Sequence, residues 1–248
     1  ARKLLGEPAA AVEDLTAVLE RLPDDSDSRL QRARALLELG RHGAAVSDYD
    51  RLLSGRPGDA ELYNARGLAL AAAGEHARAI ADFDQALQLD PSHAGAFNNR
   101  ALSHLRTGQL DLALADYDRA LGIAPEEAGI RRNRALALAA RGDYEAAIAD
   151  LDQVIAANPD GAQAYLSRGA ISARLNRRDA AMRDLDRAIA LAPEDARGFA
   201  ERGRLHLAQG DVAAALSDFD AALARAPGDV ALRTERAALR LADRAQQR

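Results

Sequence analysis

The sequence predicts an all-α fold, a solenoid of stacked helix–turn–helix units, and three observations carry that prediction. Seven prolines (Pro23, Pro57, Pro91, Pro125, Pro159, Pro193 and Pro227) stand thirty-four residues apart, with only Pro8 outside the series. Glycines keep the same interval at Gly6, Gly40, Gly74, Gly108, Gly142 and Gly210, and Asn176 fills the remaining place. Each interval between proline and turn glycine carries an apolar pattern long enough for one short helix. A fixed period of this size marks a stacked-repeat architecture. Such a chain grows by adding units that rest on their neighbours, and it needs no single large core.

The elements follow in order. In the unit 60–93, Glu61 to Ala73 predicts a first helix. Gly74 then supplies the positive-φ residue that ends a helix cheaply, and at Asn176 asparagine is the next best residue for left-handed backbone. A second helix is expected from about His76 to Gln88. Asp90-Pro91 stops it, because proline disfavours helical backbone in the residue before it. The same ruler makes the chain one array. Residues 1–25 hold the second helix of a partial unit, and six full units follow at 26–59, 60–93, 94–127, 128–161, 162–195 and 196–229. Residues 230–248 form a terminal capping helix. Gly6 lies in the turn register, so Ala1 to Leu5 reads as the last turn of a helix and the chain as a segment of something longer.

Composition narrows the function classes. Apolar residues make up 48% but aromatics only 4%, a mixture suited to thin, closely packed helices. The formal charge of −5 is slight, acids and bases are interspersed, and no basic block provides a footprint for nucleic acid. Almost every base is arginine, with Lys3 the sole lysine, which reads mainly as coding bias. The absence of cysteine excludes disulfides and thiolate metal sites. It favours a cytoplasmic location while leaving a secreted or periplasmic one open. No apolar run approaches the roughly 20 residues needed to cross a bilayer, so no membrane partner is expected.

The small and bulky residues also keep the period. Ala33, Gly67, Ala101, Ala135, Gly169, Gly203 and Ala237 lie in first helices, and are expected to face Ala45, Ala79, Ala113, Ala147, Ala181 and Ala215 in second helices. Tyr63, Phe97, Tyr165 and Phe199, with Tyr49, Phe83, Tyr117, Leu151, Leu185 and Phe219, fill the remaining space as core. The pattern Tyr63–Arg66–Gly67–Leu70, Ala79–Phe83, Pro91 resembles the tetratricopeptide repeat, whose thirty-four-residue unit is a helix–turn–helix. The resemblance covers essentially the whole chain. It departs from the family pattern in lacking tryptophan and in carrying arginine where a leucine usually precedes the small residue. It implies a right-handed superhelix whose first helices line a concave groove.

Two charged ladders share the register. Arg32, Arg66, Arg100, Arg134, Arg168, Arg202 and Arg236 form one, and Asp14, Asp48, Asp82, Asp116, Asp150, Asp184 and Asp218 the other. Each arginine is expected to pair with an aspartate across adjacent helices, in its own unit or from the unit before. The recurring Asp-x-Asp at Asp82/Asp84, Asp116/Asp118 and Asp150/Asp152 mimics a metal-binding motif. Residues two apart on a helix point about 200° apart, however, so the pair cannot close on one ion. The outer aspartates are expected on a solvated face.

No catalytic constellation is present. His42, His76, His93, His104 and His206 lack the i, i+4 partner of a zinc helix. There is no nucleophile elbow, no phosphate loop and no cysteine nucleophile. Neither an enzyme nor a cofactor is expected.

Specificity in such a family is sought off the packing ladder. The inner face implied for the first helices is apolar with scattered arginine: Leu30, Arg34, Leu37, Leu68, Leu102, Leu105, Leu136, Ala139, Leu166, Ala170, Arg204 and Leu207. Against it stands a polar cluster of Asn64, Asn98, Asn99, Arg132 and Asn133. Carboxamides carry donor and acceptor together, so they can grip the backbone of an extended peptide. Arg132, Arg106 and Arg174 can hold a carboxylate bidentately. The cluster looks like the asparagine ladder of some tetratricopeptide grooves. It does not match the lysine/asparagine carboxylate clamp, because the lysines are absent. The expected function is an adaptor that binds a peptide or protein segment in its groove. The alternative is a regulatory or substrate-recruiting domain of a larger enzyme. A monomer is expected, capped by the polar final helix through Arg244 and Ala245 to Arg248. Any end-to-end stacking would begin at the uncapped N-terminal end.

Overall fold

The protein is described by a computed structural model covering residues 8–246, with side chains as far as Asp243. The turn of Ala1 to Leu5, Gly6 and the side chains from Arg244 onward lie outside the described residues. All regular structure among those residues is α-helical. The first helices are α2 (Ser26–Glu38), α4 (Ala60–Ala72), α6 (Ala94–Arg106), α8 (Ala128–Arg141), α10 (Ala162–Arg174), α12 (Ala196–Ala208) and α14 (Val230–Gln246). The second helices are α1 (Pro8–Arg21), α3 (His42–Gly55), α5 (His76–Leu89), α7 (Leu110–Ile123), α9 (Tyr144–Ala157), α11 (Arg178–Leu191) and α13 (Val212–Arg225).

The chain divides into two compact units, residues 1–130 and 131–248. In the first, each helix from α1 to α7 packs on the next, and α4 also touches α6. In the second, each helix from α9 to α14 packs on the next, and α10 also touches α12. Each unit is thus a stack of helix pairs in which neighbouring first helices lie side by side. This is an all-α solenoid of helical repeats.

Local chemistry sets the element ends. Gly40, Gly74, Gly108, Gly142 and Gly210 all have positive φ, and Asn176 is the non-glycine residue that joins them at 59°. At the first of these turns the N–H of Gly40 donates to Leu37 O and that of Arg41 to Leu36 O, which occupies carbonyls that the helix leaves open. Both α4 and α14 start on a carboxylate cap: Asp59 accepts from the Leu62 N–H at 3.2 Å and Asp229 from the Leu232 N–H at 2.9 Å. His93 occupies the same register and does the same work, its Nδ1 accepting from the Ala96 N–H at 3.3 Å. The proline-loop histidine is therefore a helix cap.

The core alternates small and bulky residues, with one change from the expected pairing. Ala79, Ala113, Ala147, Ala181 and Ala215 are fully buried. What lies over the small first-helix residue, however, is the bulky side chain four positions later in the second helix. A Cβ placed on Gly67 would stand 2.6 Å from Phe83 Cε1, and one on Gly203 2.7 Å from Phe219 Cε1. The glycine makes room for a ring. Tyr49, Phe83, Tyr117, Leu151, Leu185 and Phe219 are all sealed from solvent at this layer. The first-helix aromatics sit further out: Tyr63 and Phe97 pack against Ala86, Leu87 and Ala96. The guanidiniums of Arg66, Arg100, Arg168 and Arg202 lie over Tyr63, Phe97, Tyr165 and Phe199 at 5.5, 5.4, 5.7 and 5.8 Å from the ring centroids.

The charged ladders form a two-sided seam. Arg100 Nε and Nη2 donate to Asp116 at 2.8 and 2.6 Å, while Nη1 donates to Asp84 at 2.6 Å. Arg66 does this with Asp82 and Asp50, Arg168 with Asp184 and Asp152, and Arg202 with Asp218 and Asp186. Each of these arginines reaches sixteen residues forward to a buried aspartate and sixteen back to an exposed one. The side-chain hydrogen bond to the buried aspartate holds the four guanidinium pKa values well above their ordinary level.

The expectation that the outer aspartates are simply solvated is therefore corrected. They are half exposed, yet each of Asp50, Asp84, Asp152, Asp186 and Asp220 binds the arginine of the following helix pair. The helix turns Asp82 and Asp84 toward Arg66 and Arg100, and Asp150 and Asp152 toward Arg134 and Arg168. Asp14 departs from its ladder and is exposed.

Candidate functional site

Polar and apolar side chains that the packing leaves open to solvent lie along the first helices. In the N-terminal unit, Asn64 on α4 and Asn98 and Asn99 on α6 come together. Asn99 Nδ2 donates to Asn64 Oδ1 at 2.9 Å, and Asn98 Nδ2 donates to Asn99 Oδ1 at 3.2 Å. Asn64 is buried and its carbonyl accepts from Asn99, with Asn98 and Asn99 half-buried beside it. One turn further along each helix stand Leu68 and Leu102, which are 42% and 40% exposed. Solvent-open leucines beside a preorganised carboxamide network make an amphipathic surface. Arg106, in the last turn of α6, is exposed and makes no ion pair among the described residues.

In the C-terminal unit, Arg132 and Asn133 are half-buried in the first half of α8. Arg132 makes no ion pair among the described residues. Leu136 follows one turn later and is 47% exposed. Arg174 ends α10 and is exposed. It borders a cleft of about 350 Å³ between α8, α10 and α12, whose walls include Leu136, Leu166, Ala170 and Ile171. Further on, α12 and α14 close their own polar groups: Arg204 donates to Glu235 through Nε and Nη2, both at 3.0 Å, and to Glu201 at 2.7 Å. Of the seven site residues expected from sequence, the structure brings Asn64, Asn98 and Asn99 into one network. Arg106 stands at the far end of α6, and Arg174 belongs to a separate cleft.

Sequence reasoning also missed features of this surface. The cleft arises at Ala170, in a register that holds Leu68, Leu102 and Leu136 in three of the other first helices. The change from Leu136 to Ala170 between successive first helices was its signal. Arg29 and Arg131 occupy the register of Tyr63 and Phe97 and turn inward to the seam. Arg29 reaches Asp48 at 3.2 Å and Arg131 reaches Asp150 at 3.8 Å. The histidines serve packing too: His104 is buried, with Nδ1 2.8 Å from Gln109 Oε1 and Nε2 3.8 Å from Asp116. Among the described residues, no three His, Asp or Glu side chains are grouped to hold a metal ion. No helix there is long and apolar enough to cross a membrane.

Two models of the tetratricopeptide repeat match the sequence, one over residues 100–172 and the other over 5–60, 64–128, 173–230 and 200–247. The chain belongs to the tetratricopeptide repeat family. Members of this family are in general interaction scaffolds for other proteins. Solved tetratricopeptide repeat structures share the fold. One, a tetratricopeptide repeat protein from Parabacteroides merdae, is 20% identical with a TM-score of 0.75, covering 94% of this chain and 92% of that one. TTC0263, a thermophilic TPR protein in Thermus thermophilus, is 27% identical with a TM-score of 0.62, over 74% of this chain and all of the other. YrrB, a TPR protein with an unusual peptide-binding site, is 22% identical with a TM-score of 0.58, over 76% of this chain and 97% of that one. No curated protein matches the sequence.

Proposed function

We propose that this tetratricopeptide repeat chain is an adaptor that captures an extended peptide or protein segment along its first helices. The observation that carries this reading is the Asn64–Asn99–Asn98 network flanked by the exposed Leu68 and Leu102. An extended peptide presents a backbone N–H and C=O at every residue, and leaving these unpaired on a protein surface costs free energy. Carboxamides supply both partners without reading the side chain, and the leucines supply apolar area for alternate side chains. Asn64, Asn98, Asn99, Arg106, Arg132, Asn133 and Arg174 are the proposed contact residues, within a single array of six full units at 26–59 through 196–229. A peptide-binding site is described for YrrB. No catalytic role is assigned to the chain.

Binding of peptides from a random library to the wild type and to the Asn98→Ala/Asn99→Ala variant tests the patch. The reading expects the double variant to lose at least about tenfold in affinity, or about 1.4 kcal/mol. Unchanged affinity would remove the carboxamides from the site.

A further inference from the structure

The cleft of the C-terminal unit has a chemistry of its own. Its space opens at Ala170, in a register where α2, α4, α6, α8 and α12 carry the longer Arg34, Leu68, Leu102, Leu136 and Arg204. The wall on the α8 side is Leu136, 47% exposed, an apolar side chain with half its surface in water. At about 350 Å³ the cleft is at the small end of ligand pockets, which run from about 300 to 1,000 Å³. Its openness to solvent suits a side chain inserted from a longer ligand.

The charges at its rim are not equivalent. Arg197 is engaged by Asp195, through Nε at 3.0 Å and Nη2 at 2.7 Å. Glu201 is engaged by Arg204. Arg174, alone among the charged residues lining the cleft, has no ion pair within the described residues. An unpaired guanidinium beside an apolar recess is complementary to a carboxylate close to an apolar side chain, and its planar fork matches a carboxylate with two parallel hydrogen bonds.

We infer that this cleft is a specificity pocket for a peptide in which a large apolar residue lies within two positions of an aspartate or glutamate. The apolar side chain fills the recess beside Ala170, and the carboxylate pairs with Arg174. This rests on the peptide-binding reading above and adds to it a sequence preference, which the carboxamides cannot provide.

The test uses a random heptapeptide library displayed on phage, selected in parallel on the wild type, Ala170→Leu and Arg174→Ala. Both substitutions install residues that the same registers carry in neighbouring repeats, so folding is expected to be retained, and far-UV circular dichroism checks it. Wild-type selections should be enriched for an apolar residue next to or one removed from an acid. Ala170→Leu should lose the apolar preference and Arg174→Ala the acidic one. A synthetic copy of the winning peptide should bind each variant at least about tenfold more weakly. Peptides that bind all three proteins alike but weaken on the Asn98→Ala/Asn99→Ala variant would overturn the pocket and leave the groove reading standing. A selection that enriches nothing would overturn both. A wild-type mass in light scattering that falls to monomer in Ala170→Leu would make the occupant a second copy of the chain, which also overturns the inference.

Discussion

The seam predicts that the two carboxylates held by one arginine have unequal energetic weight, and Arg100 is where the difference is cleanest. Asp116 accepts from Nε and Nη2 of Arg100 with its side chain 7% exposed, whereas Asp84 accepts from Nη1 with its side chain 56% exposed. Removing one member of a buried pair costs about 3–5 kcal/mol, because the other is left uncompensated. Arg100 is 21% exposed and keeps Asp84 when Asp116 is lost. Water and the remaining carboxylate therefore moderate the penalty, and Asp116→Ala should cost about 2–3 kcal/mol. Asp84→Ala removes a half-exposed pair and should cost under about 1 kcal/mol. Replacing Arg100 by methionine and Asp116 by leucine together should be far milder than Asp116→Ala, since no buried charge is stranded and Asp84 is left half exposed to water. Urea unfolding followed by circular dichroism measures the three differences, and hydrogen exchange in α6 and α7 places them. Equal losses for the two alanine variants, or a larger one for Asp84, would refute the assignment of inner and outer partners.

Other expectations follow from single positions. Gly67→Ala places a methyl against the Phe83 ring, so an overpacking cost of about 1–3 kcal/mol outweighs the helix-propensity gain of about 1. Gly122→Ala, with nothing within 4 Å, should instead stabilise by about 0.5–1 kcal/mol, and matched thermal melts read the opposite signs. Tyr117→Phe should raise the melting temperature. Burial pushes the Tyr117 hydroxyl pKa up, and its oxygen has no hydrogen-bond partner among the described residues, while Phe83 and Phe219 already fill the same register. A lower melting temperature would show that the hydroxyl is satisfied. At the α12 cap, the Arg197 side chain, and less strongly backbone and Gln163 hydrogen bonds, hold the Asp195 carboxyl below its ordinary 3.8. A depressed carboxylate contributes stability that is present above 3.8 and is lost as the pH falls through the lowered value. The stability gap between wild type and Asp195→Asn should therefore shrink between about pH 7 and about pH 2, and acid-dependent melts that stay parallel would contradict it.

Much of the fold was legible because its physics repeats. A positive-φ turn, a proline stop and a small residue under a bulky one each recur at one spacing, so any single unit could be checked against its neighbours. The arginine–aspartate pairing was legible for the same reason. What the period could not show was direction in three dimensions. Outer aspartates such as Asp84 look solvated from helical geometry alone, and only the placement of the next helix pair reveals Arg100 within 2.6 Å. Likewise, Gly67 and Ala79 share a period, yet the nearest neighbour of Gly67 is the Phe83 ring, a choice made by side-chain direction. The contact residues were visible as departures from the ladder. Their grouping was not, because Asn99 reaches Asn64 thirty-five residues away through a rotamer the sequence does not encode. The cleft at Ala170 depends on an absent side chain, which composition and periodicity register only as one more alanine.

Because the seam arginines reach a fixed distance, they limit how such a chain can change length. Arg66 spans sixteen residues in both directions, and the Asp-x-Asp step adds the two that bring the interval between equivalent aspartates to thirty-four. A coding change that adds or removes one whole interval leaves every bridge with a partner of the right kind at the right distance. An in-frame insertion of any other size within the helices shifts an arginine away from at least one of its two carboxylates. The ion pairs thus act as a length standard for heredity. Recombination between neighbouring repeats can give viable longer and shorter arrays, while small insertions are tolerated only where a loop can bulge them out of the helices.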